Sequence, residues 1–349
     1  MPFRKPDPLL LPRIIISLAA ACAVFCPGAD TAAADGRIRV FFTSPGRDGA
    51  QTPDNPESAL VRLIGSARKS FYGAFYDISS SRVAAALDKA RRRGVDVRLV
   101  TEKDNFDNRQ ISLLIRAGVP VVPDRSRGLM HNKFAVVDGV CLWTGSYNTT
   151  GNCAYRNNNN AVLIESPELA AIYLSEFSEM FESKIFGNRK DANPFESVGK
   201  KYHVRIDDAD INAYFSPDDN VERIIVQRIR KAERSIDFLA FSFTSDAIAA
   251  EMIERHRAGV AVRGVIEKRG SRSKESEFVK LKTEGIPVKI DRNRHAMHHK
   301  VIVIDDRLVI TGSYNFSRNA NRKNDENVLM IASPEVASAY MREFDRLYR

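Results

Sequence analysis

Helical and strand periodicities alternate along the first half of the chain. Asn55 and Pro56 precede a segment whose apolar residues share one helical face, which is typical of a helix with an N-cap and a first-turn proline. Short apolar runs then alternate with amphipathic segments, and this alternation indicates an α/β fold with mixed, mostly parallel sheets that helices cover on both faces. The pattern predicts strands at 71–76, 95–100 and 119–122 and helices at 83–93 and 111–117.

The pattern changes towards the end of this half. Apolar runs at 134–137 and 140–143 flank an Asp-Gly pair at 138–139, and this arrangement predicts a β-hairpin. A further short strand leads into Ser166-Pro167, which is an N-cap followed by proline at the first helical position.

The second half of the chain repeats the first. His131 and His298 lie 167 residues apart, and the same offset relates many later positions, whereas upstream the offset is 165. An offset that stays constant through loops indicates duplication of a folded unit. We therefore predict two tandem α/β/α repeats at 35–185 and 203–349, joined by a polar linker at 186–202 and packed about a pseudo-twofold axis, in a chain that we expect to be a monomer.

Composition and charge narrow the class of protein. Apolar residues make up 44% of the chain and charged residues 28%, which is typical of a globular protein. The formal net charge is +9, and it becomes +8 without residues 1–34, which carry three basic and two acidic residues. This surplus favours phosphate-bearing partners such as nucleic acid or an anionic membrane surface, although general solubility explains it equally well.

The amino terminus has the order of a secretory signal. Arg4, Lys5 and Arg13 precede an apolar stretch at 14–25, and small residues follow up to Ala34. We predict a signal peptide at 1–34, cleavage after Ala34 and a secreted or periplasmic protein. An uncleaved anchor is the alternative, but the apolar stretch is shorter than the roughly 20 residues that span a bilayer. Lipid anchoring at Cys22 is less favoured, and no later segment is predicted to cross a membrane.

Two cysteines remain after the signal. An oxidising compartment would permit a disulfide between Cys141 and Cys153. Cys141 lies in an apolar run, however, which predicts a buried strand where cysteine packs as a small hydrophobe. Two thiols without a histidine pair at ligand spacing do not form a zinc site, and we expect no metal or other cofactor.

A cluster of polar side chains accompanies each predicted hairpin. Residues two apart in a strand point to the same face, so His131 and Lys133 project together while Asn132 points away. The Gly-Ser-Tyr-Asn turn then returns Ser146 and Asn148 to that side. A single such cluster is commonly an exposed polar group, but two copies at six matched positions exclude coincidence. A repeat that kept only phosphate binding is the alternative to a catalytic one.

These residues resemble the signature of the phospholipase D superfamily, HxK(x)4D followed by GSxN, in two copies. The chain has HNKFAVVD with TGSYN and HHKVIVID with TGSYN, and the resemblance covers essentially the whole mature chain. Members of this superfamily include phospholipases, phospholipid synthases and nucleases, which all act on phosphodiesters. The resemblance implies these catalytic candidates: His131, Lys133, Asp138, Ser146, Asn148, His298, Lys300, Asp305, Ser313, Asn315 and Glu326.

The candidates have different expected roles. The lysines and asparagines would hold the non-bridging phosphate oxygens, while one histidine attacks phosphorus and the other protonates the leaving alcohol. For Asp138 and Asp305 a turn-capping role is favoured over direct catalysis, because both stand at a strand end beside a turn. Ser146 and Ser313 are candidates for orienting their neighbours.

An asymmetry between the halves suggests which histidine does which task. The acidic residue that usually follows the Gly-Ser turn is present as Glu326, but Asn159 takes the equivalent position in the first half. If Glu326 contacts His298, it raises that ring's pKa, so that His298 acts as the acid and His131 as the nucleophile. A contact between Glu326 and His131 would reverse this assignment.

The substrate stays open at this point. A phospholipid headgroup is favoured, and a metal-independent nuclease acting on DNA or RNA is the alternative. A lipase needs an apolar rim around the site, whereas a nuclease needs a basic groove with stacking aromatic residues. We interpret His203, His256 and His295 as structural or surface residues. Four loop arginines stand where they could meet an anionic substrate, with simple solvated charges as the default: Arg125, Arg127, Arg292 and Arg294.

Overall fold

The computed structural model describes residues 37–45, 52–190 and 202–349. The predicted signal peptide and most of the predicted linker lie outside the described residues. The first half contains β1 (Ile38–Phe42), α1 (Pro56–Ser66), β2 (Ser70–Phe75), α2 (Ser81–Arg92), β3 (Asp96–Thr101), α3 (Arg109–Arg116), β4 (Val121–Pro123), β5 (Lys133–Val137), β6 (Cys141–Gly145), α4 (Gly151–Tyr155), β7 (Asn160–Glu165) and α5 (Pro167–Phe181).

The second half repeats this order and adds one strand. It contains β8 (His203–Ile206), β9 (Ala209–Ser216), α6 (Val221–Ile229), β10 (Ser235–Ala240), α7 (Asp246–Arg257), β11 (Ala261–Ile266), α8 (Phe278–Thr283), β12 (Val288–Ile290), β13 (Lys300–Ile304), β14 (Leu308–Gly312), α9 (Arg318–Arg322), β15 (Glu326–Ala332) and α10 (Pro334–Tyr348).

Local sequence explains where the helices begin. The side chain of Asn55 accepts a hydrogen bond from the backbone N–H of Glu57, and Pro56 takes the first turn of α1, where its missing N–H costs nothing. Ser166 caps α5 in the same way through the N–H of Leu169. The predicted N-caps at these positions are confirmed. Cys141 packs within the core in β6, as its apolar neighbours indicated.

Each half forms one mixed sheet. The first sheet has seven strands in the order β1-β7-β6-β5-β2-β3-β4, and the second has eight in the order β12-β11-β10-β13-β14-β15-β9-β8. In the first sheet β2, β3 and β4 run parallel, because α2 and α3 connect them by crossovers. The same holds for β10, β11 and β12.

The α/β class and the two tandem repeats are confirmed, but the expectation of mostly parallel sheets is wrong. The β5–β6 hairpin pairs antiparallel, β7 returns antiparallel beside β6, and β1 joins β7 antiparallel at the edge. Strands β13, β14, β15 and β9 pair antiparallel in the other half. Sequence periodicity reports which residues are buried, whereas strand direction depends on which neighbour each strand finds.

The two sheets face each other across a shared core. Helices α5 and α10 lie in this central layer, where Tyr173, Phe177 and Tyr340 pack with apolar residues from both sheets. Helices α1 to α3 cover the outer face of the first sheet, and α6 to α8 cover that of the second. No helix among the described residues is long and apolar enough to cross a membrane.

Buried polar residues join the two halves with pseudo-twofold symmetry. The Thr144 hydroxyl donates to Oδ1 of Asn327 at 2.6 Å, and the matching Thr311 hydroxyl donates to Oδ1 of Asn160 at 3.0 Å. Asn160 also lies 2.9 Å from the ring of His299, which points away from the cluster of His298, as the strand alternation predicted. Because buried polar groups must be paired, this network fixes the position of one half against the other.

Candidate active site

The loops before the two motif histidines exchange backbone hydrogen bonds with the opposite half. The N–H of His131 donates to the carbonyl oxygen of Asp325 at 2.9 Å, and the N–H of His298 donates to that of Asn158 at 2.8 Å. Each histidine is therefore held by the half to which it does not belong. Both residues are 7% exposed, at the seam between the sheets.

The carboxylate of Glu326 contacts the first histidine. Its Oε2 lies 2.8 Å from Nδ1 of His131, and the Ser313 hydroxyl donates to the same oxygen at 2.7 Å. Burial alone would raise the pKa of Glu326, but the His131 ring and Lys133 hold it below its usual value, so the side chain is ionised. An ionised carboxylate only accepts, which places the proton on Nδ1 of His131 and leaves Nε2 with a lone pair.

The expected contact between Glu326 and His298 is therefore wrong. Burial lowers the pKa of His131 to about 4, with Glu326 opposing that effect. Glu326 is the first residue of β15 in the second half, and its side chain crosses the seam to the first half. Glu326 therefore does not raise the pKa of His298, which was the expected reason for His298 to act as the acid.

Uncharged acceptors surround Nδ1 of His298 instead. Oδ1 of Asn159 lies 2.9 Å from it and the carbonyl oxygen of Ser146 lies 3.1 Å away. Burial, followed by the charges of Lys300 and Lys133, lowers the pKa of His298 well below its usual value. Both imidazoles thus carry the Nδ1 proton, but only the ring of His131 has an anionic partner.

The two motif lysines lie beside the histidines and are almost completely buried. The Nζ of Lys133 donates to the carbonyl oxygen of His131 at 2.6 Å, and Nζ of Lys300 donates to that of His298 at 2.8 Å. Burial lowers the pKa of Lys133 to about 8. Burial and then Lys133 lower the pKa of Lys300 well below its usual value. The charge of Lys133 acts on Lys300, so a bound anion would offset the repulsion between the two ammonium groups.

The serines and asparagines of the two turns have different environments. The Ser146 hydroxyl donates to Oδ1 of Asn159 at 3.2 Å, as Ser313 does to Glu326, so both serines orient the partners of the histidines. In contrast, Oδ1 of Asn148 and Oδ1 of Asn315 are buried without a hydrogen-bond partner in the described part of the chain. An unpaired buried amide in a polar cluster is typical of a ligand-binding group.

Asp138 and Asp305 do not join this cluster, although both were among the candidates. They follow the far ends of β5 and β13, about 17 Å from the motif lysines at a strand rise of about 3.3 Å per residue. The Asp138 carboxylate accepts from three successive backbone N–H groups, those of Arg68, Lys69 and Ser70, at 2.7 to 2.9 Å. Asp305 does the same in the second half. The structure supports the capping role.

Two aromatic residues next to the site were not predicted from the sequence. The ring of Tyr76 packs against His131 at a centroid distance of 5.2 Å, and Phe241 packs against His298 at 4.6 Å. The Nζ of Lys133 and of Lys300 lie over the same two rings. Tyr76 and Phe241 are 165 residues apart, so the upstream offset of the repeat was a signal that could have identified them.

The remaining histidines lie outside the cluster. His203 in β8 contacts Asp210 at 3.1 Å on the surface, and His256 lies in the last turn of α7. His295 lines a pocket with Arg292 and Arg294 beside the second motif loop. Large apolar residues that are exposed in the described part of the chain lie on α3, α8 and the end of β12: Leu113, Ile115, Val279 and Ile290.

A second group of charges lies near the seam, and the sequence did not predict it. Ligand oxygens of Glu176, Glu179 and Asp218 lie within 4.8 Å of one another. The buried ammonium of Lys190 already pairs with Glu176, with Glu179 at 3.4 Å and with Asp325 at 3.1 Å. Lys190 supplies one positive charge to this group, and burial raises the pKa of Glu176 to about 8 and that of Asp218 to about 7. The group is therefore a partly buried cluster of carboxyl groups around one ammonium.

Comparison with known proteins agrees with the motif. The family model described as cardiolipin synthase, PLD-like domain matches residues 60–181 and 225–348, which is more than half of the chain. The chain belongs to the phospholipase D superfamily. Relatives named phospholipase D and mitochondrial cardiolipin hydrolase support a phosphodiester hydrolase.

Several relatives are similar to one part of the chain. A phospholipase D of Rickettsia prowazekii is 30% identical over 168 residues, which are 48% of this chain and 80% of that protein. A mitochondrial cardiolipin hydrolase of Chlamydomonas reinhardtii is 34% identical over 117 residues, which are 34% of this chain and about half (52%) of that protein. The phosphatidylserine synthase of Haemophilus influenzae shares the fold, with a TM-score of 0.65, 13% identity, and coverage of 89% of this chain and 86% of that one.

Proposed function

We propose that this protein hydrolyses phosphodiesters through a phosphohistidine on His131. The observation that supports this role is the 2.8 Å contact between Nδ1 of His131 and Glu326. It fixes the tautomer that leaves a lone pair on Nε2, and it neutralises the positive ring that forms when Nε2 binds phosphorus. A carboxylate partner also makes the ring a better nucleophile.

His298 is the proposed general acid. By pKa alone, the contact between Glu326 and His131 would make His131 the acid, because that ring would hold a proton more tightly. A ring whose Nδ1 contacts only neutral acceptors releases a proton from Nε2 more readily to a leaving alkoxide. The negative phosphate between the two lysines supplies the field that protonates His298 when substrate binds.

The proposed reaction has two steps. Nε2 of His131 attacks phosphorus, the bond from phosphorus to the leaving oxygen breaks, and His298 gives that oxygen its proton. Water then attacks phosphorus and loses a proton to His298, while the bond between phosphorus and Nε2 breaks. Lys133, Lys300 and the asparagine amides stabilise the charge on the non-bridging oxygens. This role accounts for two buried ammonium groups that form no ion pair with a carboxylate among the described residues.

The names of the relatives favour a phospholipid headgroup as the substrate. The relatives that support it are named phospholipase D and mitochondrial cardiolipin hydrolase. The leaving alcohol would then be the headgroup. We expect the protein to be exported and to contact an anionic membrane from outside the bilayer.

A nucleic acid is the second candidate substrate, and one observation favours it. The described surface beside the second motif carries an arginine-lined pocket, whereas the large exposed apolar residues lie on outer helices and at a sheet edge. A lipase of this type would need an apolar rim. A repeat that only binds phosphate is less favoured, because both histidines have partners that fix a reactive tautomer.

One experiment tests the reaction and the nucleophile together. Protein is mixed with a phosphodiester whose label lies in the fragment that stays bonded to phosphorus. The mixture is quenched in conditions that preserve phosphohistidine and is digested for peptide mapping. In EDTA, we expect label on His131 and loss of label and turnover in His131→Ala. Label on His298 would reverse the two roles. Turnover without any labelled histidine would exclude the covalent route.

A further inference from the structure

The pocket beside the second motif is rich in arginine. Its volume is about 590 Å³, and it contains five arginines and one aspartate. It lies between the halves, since residues from both repeats line it. The lining residues are Pro45, Tyr155, Arg156, Asn158, Asp291, Arg292, Asn293, Arg294, His295, Arg346, Leu347 and Arg349.

The pocket adjoins the proposed acid. Asn158 lines it and accepts the backbone hydrogen bond of His298, and the next residue, Asn159, orients the His298 ring. His295 lies three residues before His298 in the loop that forms one wall. A group bound here is therefore next to the side of the site where the leaving oxygen receives its proton.

Positive charge in this pocket is available to a ligand. The guanidinium groups of Arg292 and Arg294 are exposed and make no hydrogen bond or ion pair within the part of the chain that the structure describes. Arg346 is bound to Glu343, and the buried carboxylate of Asp291 accepts from the N–H of Asn293, which holds the loop in place. The remaining arginines outnumber this one acidic group.

In the described part of the first half, residues that match the pocket lining surround a space that is filled. At the repeat offset, Ser126 and Lys323 correspond to Asn293 and Arg156. Gly187 fills the space between them: a Cβ on Gly187 would lie 2.7 Å from the carbonyl oxygen of Lys323 and 3.1 Å from the Ser126 hydroxyl. Its N–H also donates to the Asp325 carboxylate at 2.9 Å. The two halves therefore differ here, because the pocket beside His298 is open and the matching space beside His131 is filled.

We propose that the arginine pocket binds the phosphate next to the scissile one in a single nucleic-acid strand, on the side that leaves with the proton from His298. This inference rests on the proposed reaction and assigns it the second candidate substrate class, a nucleic acid. Planar guanidinium groups bind phosphate oxygens in pairs, and because Gly187 fills the matching space in the first half, the strand has one direction across the site. A lipid with a single phosphate has nothing to place there.

The test compares two substrates in the same protein, in EDTA. Bis(4-nitrophenyl) phosphate has one phosphate, and a short oligothymidylate has neighbouring ones. For Arg292→Gln combined with Arg294→Gln, we expect the kcat/KM ratio of oligothymidylate to bis(4-nitrophenyl) phosphate to fall about tenfold. The matched control, Arg125→Gln with Arg127→Gln, changes the same loop charges in the first half and should change that ratio less than about twofold. Thermal unfolding checks that both variants fold.

Three other results would contradict parts of this proposal. An unchanged ratio, or an equal fall in the control, would overturn the pocket assignment. If the same variant instead shows a lower kcat/KM ratio of diphosphatidylglycerol to phosphatidylcholine vesicles, the nucleic-acid assignment is overturned. That result would place a second lipid phosphate in the pocket. If the wild type hydrolyses neither of these substrates nor the phospholipid vesicles, the proposed reaction fails. The affinity of fluorescent oligothymidylate for His131→Ala with and without the arginine substitutions then still decides whether the pocket binds a strand.

Discussion

The carboxylate of Glu326 in the second half lies 2.8 Å from Nδ1 of His131 in the first half. Among the described residues, neither motif histidine has an anionic partner from its own half, and Asn159 takes the equivalent place beside His298. The nucleophile that we propose therefore exists only when the two halves are packed together. This dependence gives the duplication a chemical role, because two similar motifs have become unequal through a single acid-to-amide difference.

Replacement of Glu326 by glutamine should strongly reduce turnover. An amide keeps the size of the side chain but removes the charge that fixes the Nδ1 proton of His131. We expect kcat to fall about 10³-fold. Steady-state kinetics measure this, with Glu335→Gln on the exposed first turn of α10 as the matched control. A loss of less than about tenfold would show that the carboxylate does not assist the nucleophile.

The pH dependence of kcat/KM distinguishes the two roles of His131. Burial lowers its pKa to about 4, so a nucleophile at this position is active above that pH and becomes protonated below it. We therefore expect kcat/KM to rise as pH increases through about 4. If His131 were the acid, activity would fall over the same interval. In Glu326→Gln this limb should move to lower pH, because the carboxylate that opposes the effect of burial is gone.

A second limb is expected at higher pH. Burial lowers the pKa of Lys133 to about 8, so the free enzyme loses this cation as pH rises through that value. Because the charged form binds the anionic phosphate, kcat/KM should decline above about 8. Lys133→Arg, which stays charged, should lose this limb even if its overall activity is lower. A limb that persists in Lys133→Arg would assign the titration to another group.

Asp138 should matter for stability and not for chemistry. Its carboxylate accepts from three backbone N–H groups at the far end of β5, and hydrogen bonds to charged groups contribute about 1.5–3 kcal/mol. Asp138→Ala should lower the free energy of unfolding by about 2 kcal/mol. Denaturant unfolding measures this, and kcat per folded molecule should stay within a factor of about three. A loss of activity comparable to that of Lys133→Ala would return Asp138 to the catalytic set.

Removal of Lys190 should destabilise the seam between the halves. Its ammonium compensates Glu176 and Asp325 in a buried cluster, and loss of one partner from a buried ion pair costs about 3–5 kcal/mol. Lys190→Met should therefore lower the free energy of unfolding by about 3 kcal/mol, as measured by denaturant titration. Arg189→Met is the control, since that neighbouring side chain is exposed. Equal stability of the two variants would contradict the role of Lys190.

Local patterns in the sequence predicted much of this protein. The Asn55 cap, the β5–β6 hairpin and the duplication follow from residues close together in the chain or from a constant offset. The clustering of each histidine with its lysine follows from strand alternation. These features depend on backbone geometry that neighbouring residues determine among themselves.

Only the tertiary structure decided the partner of Glu326 and the one-sided pocket. Glu326 and His131 are 195 residues apart, and either histidine was a possible partner until the seam between the sheets was known. Gly187 fills the matching space in the first half because the chain after α5 packs between Ser126 and Lys323. Strand direction was also decided in this way. The sequence determines the chemistry of each half, but packing across the seam decides which groups meet, because those contacts leave no periodic trace in the chain.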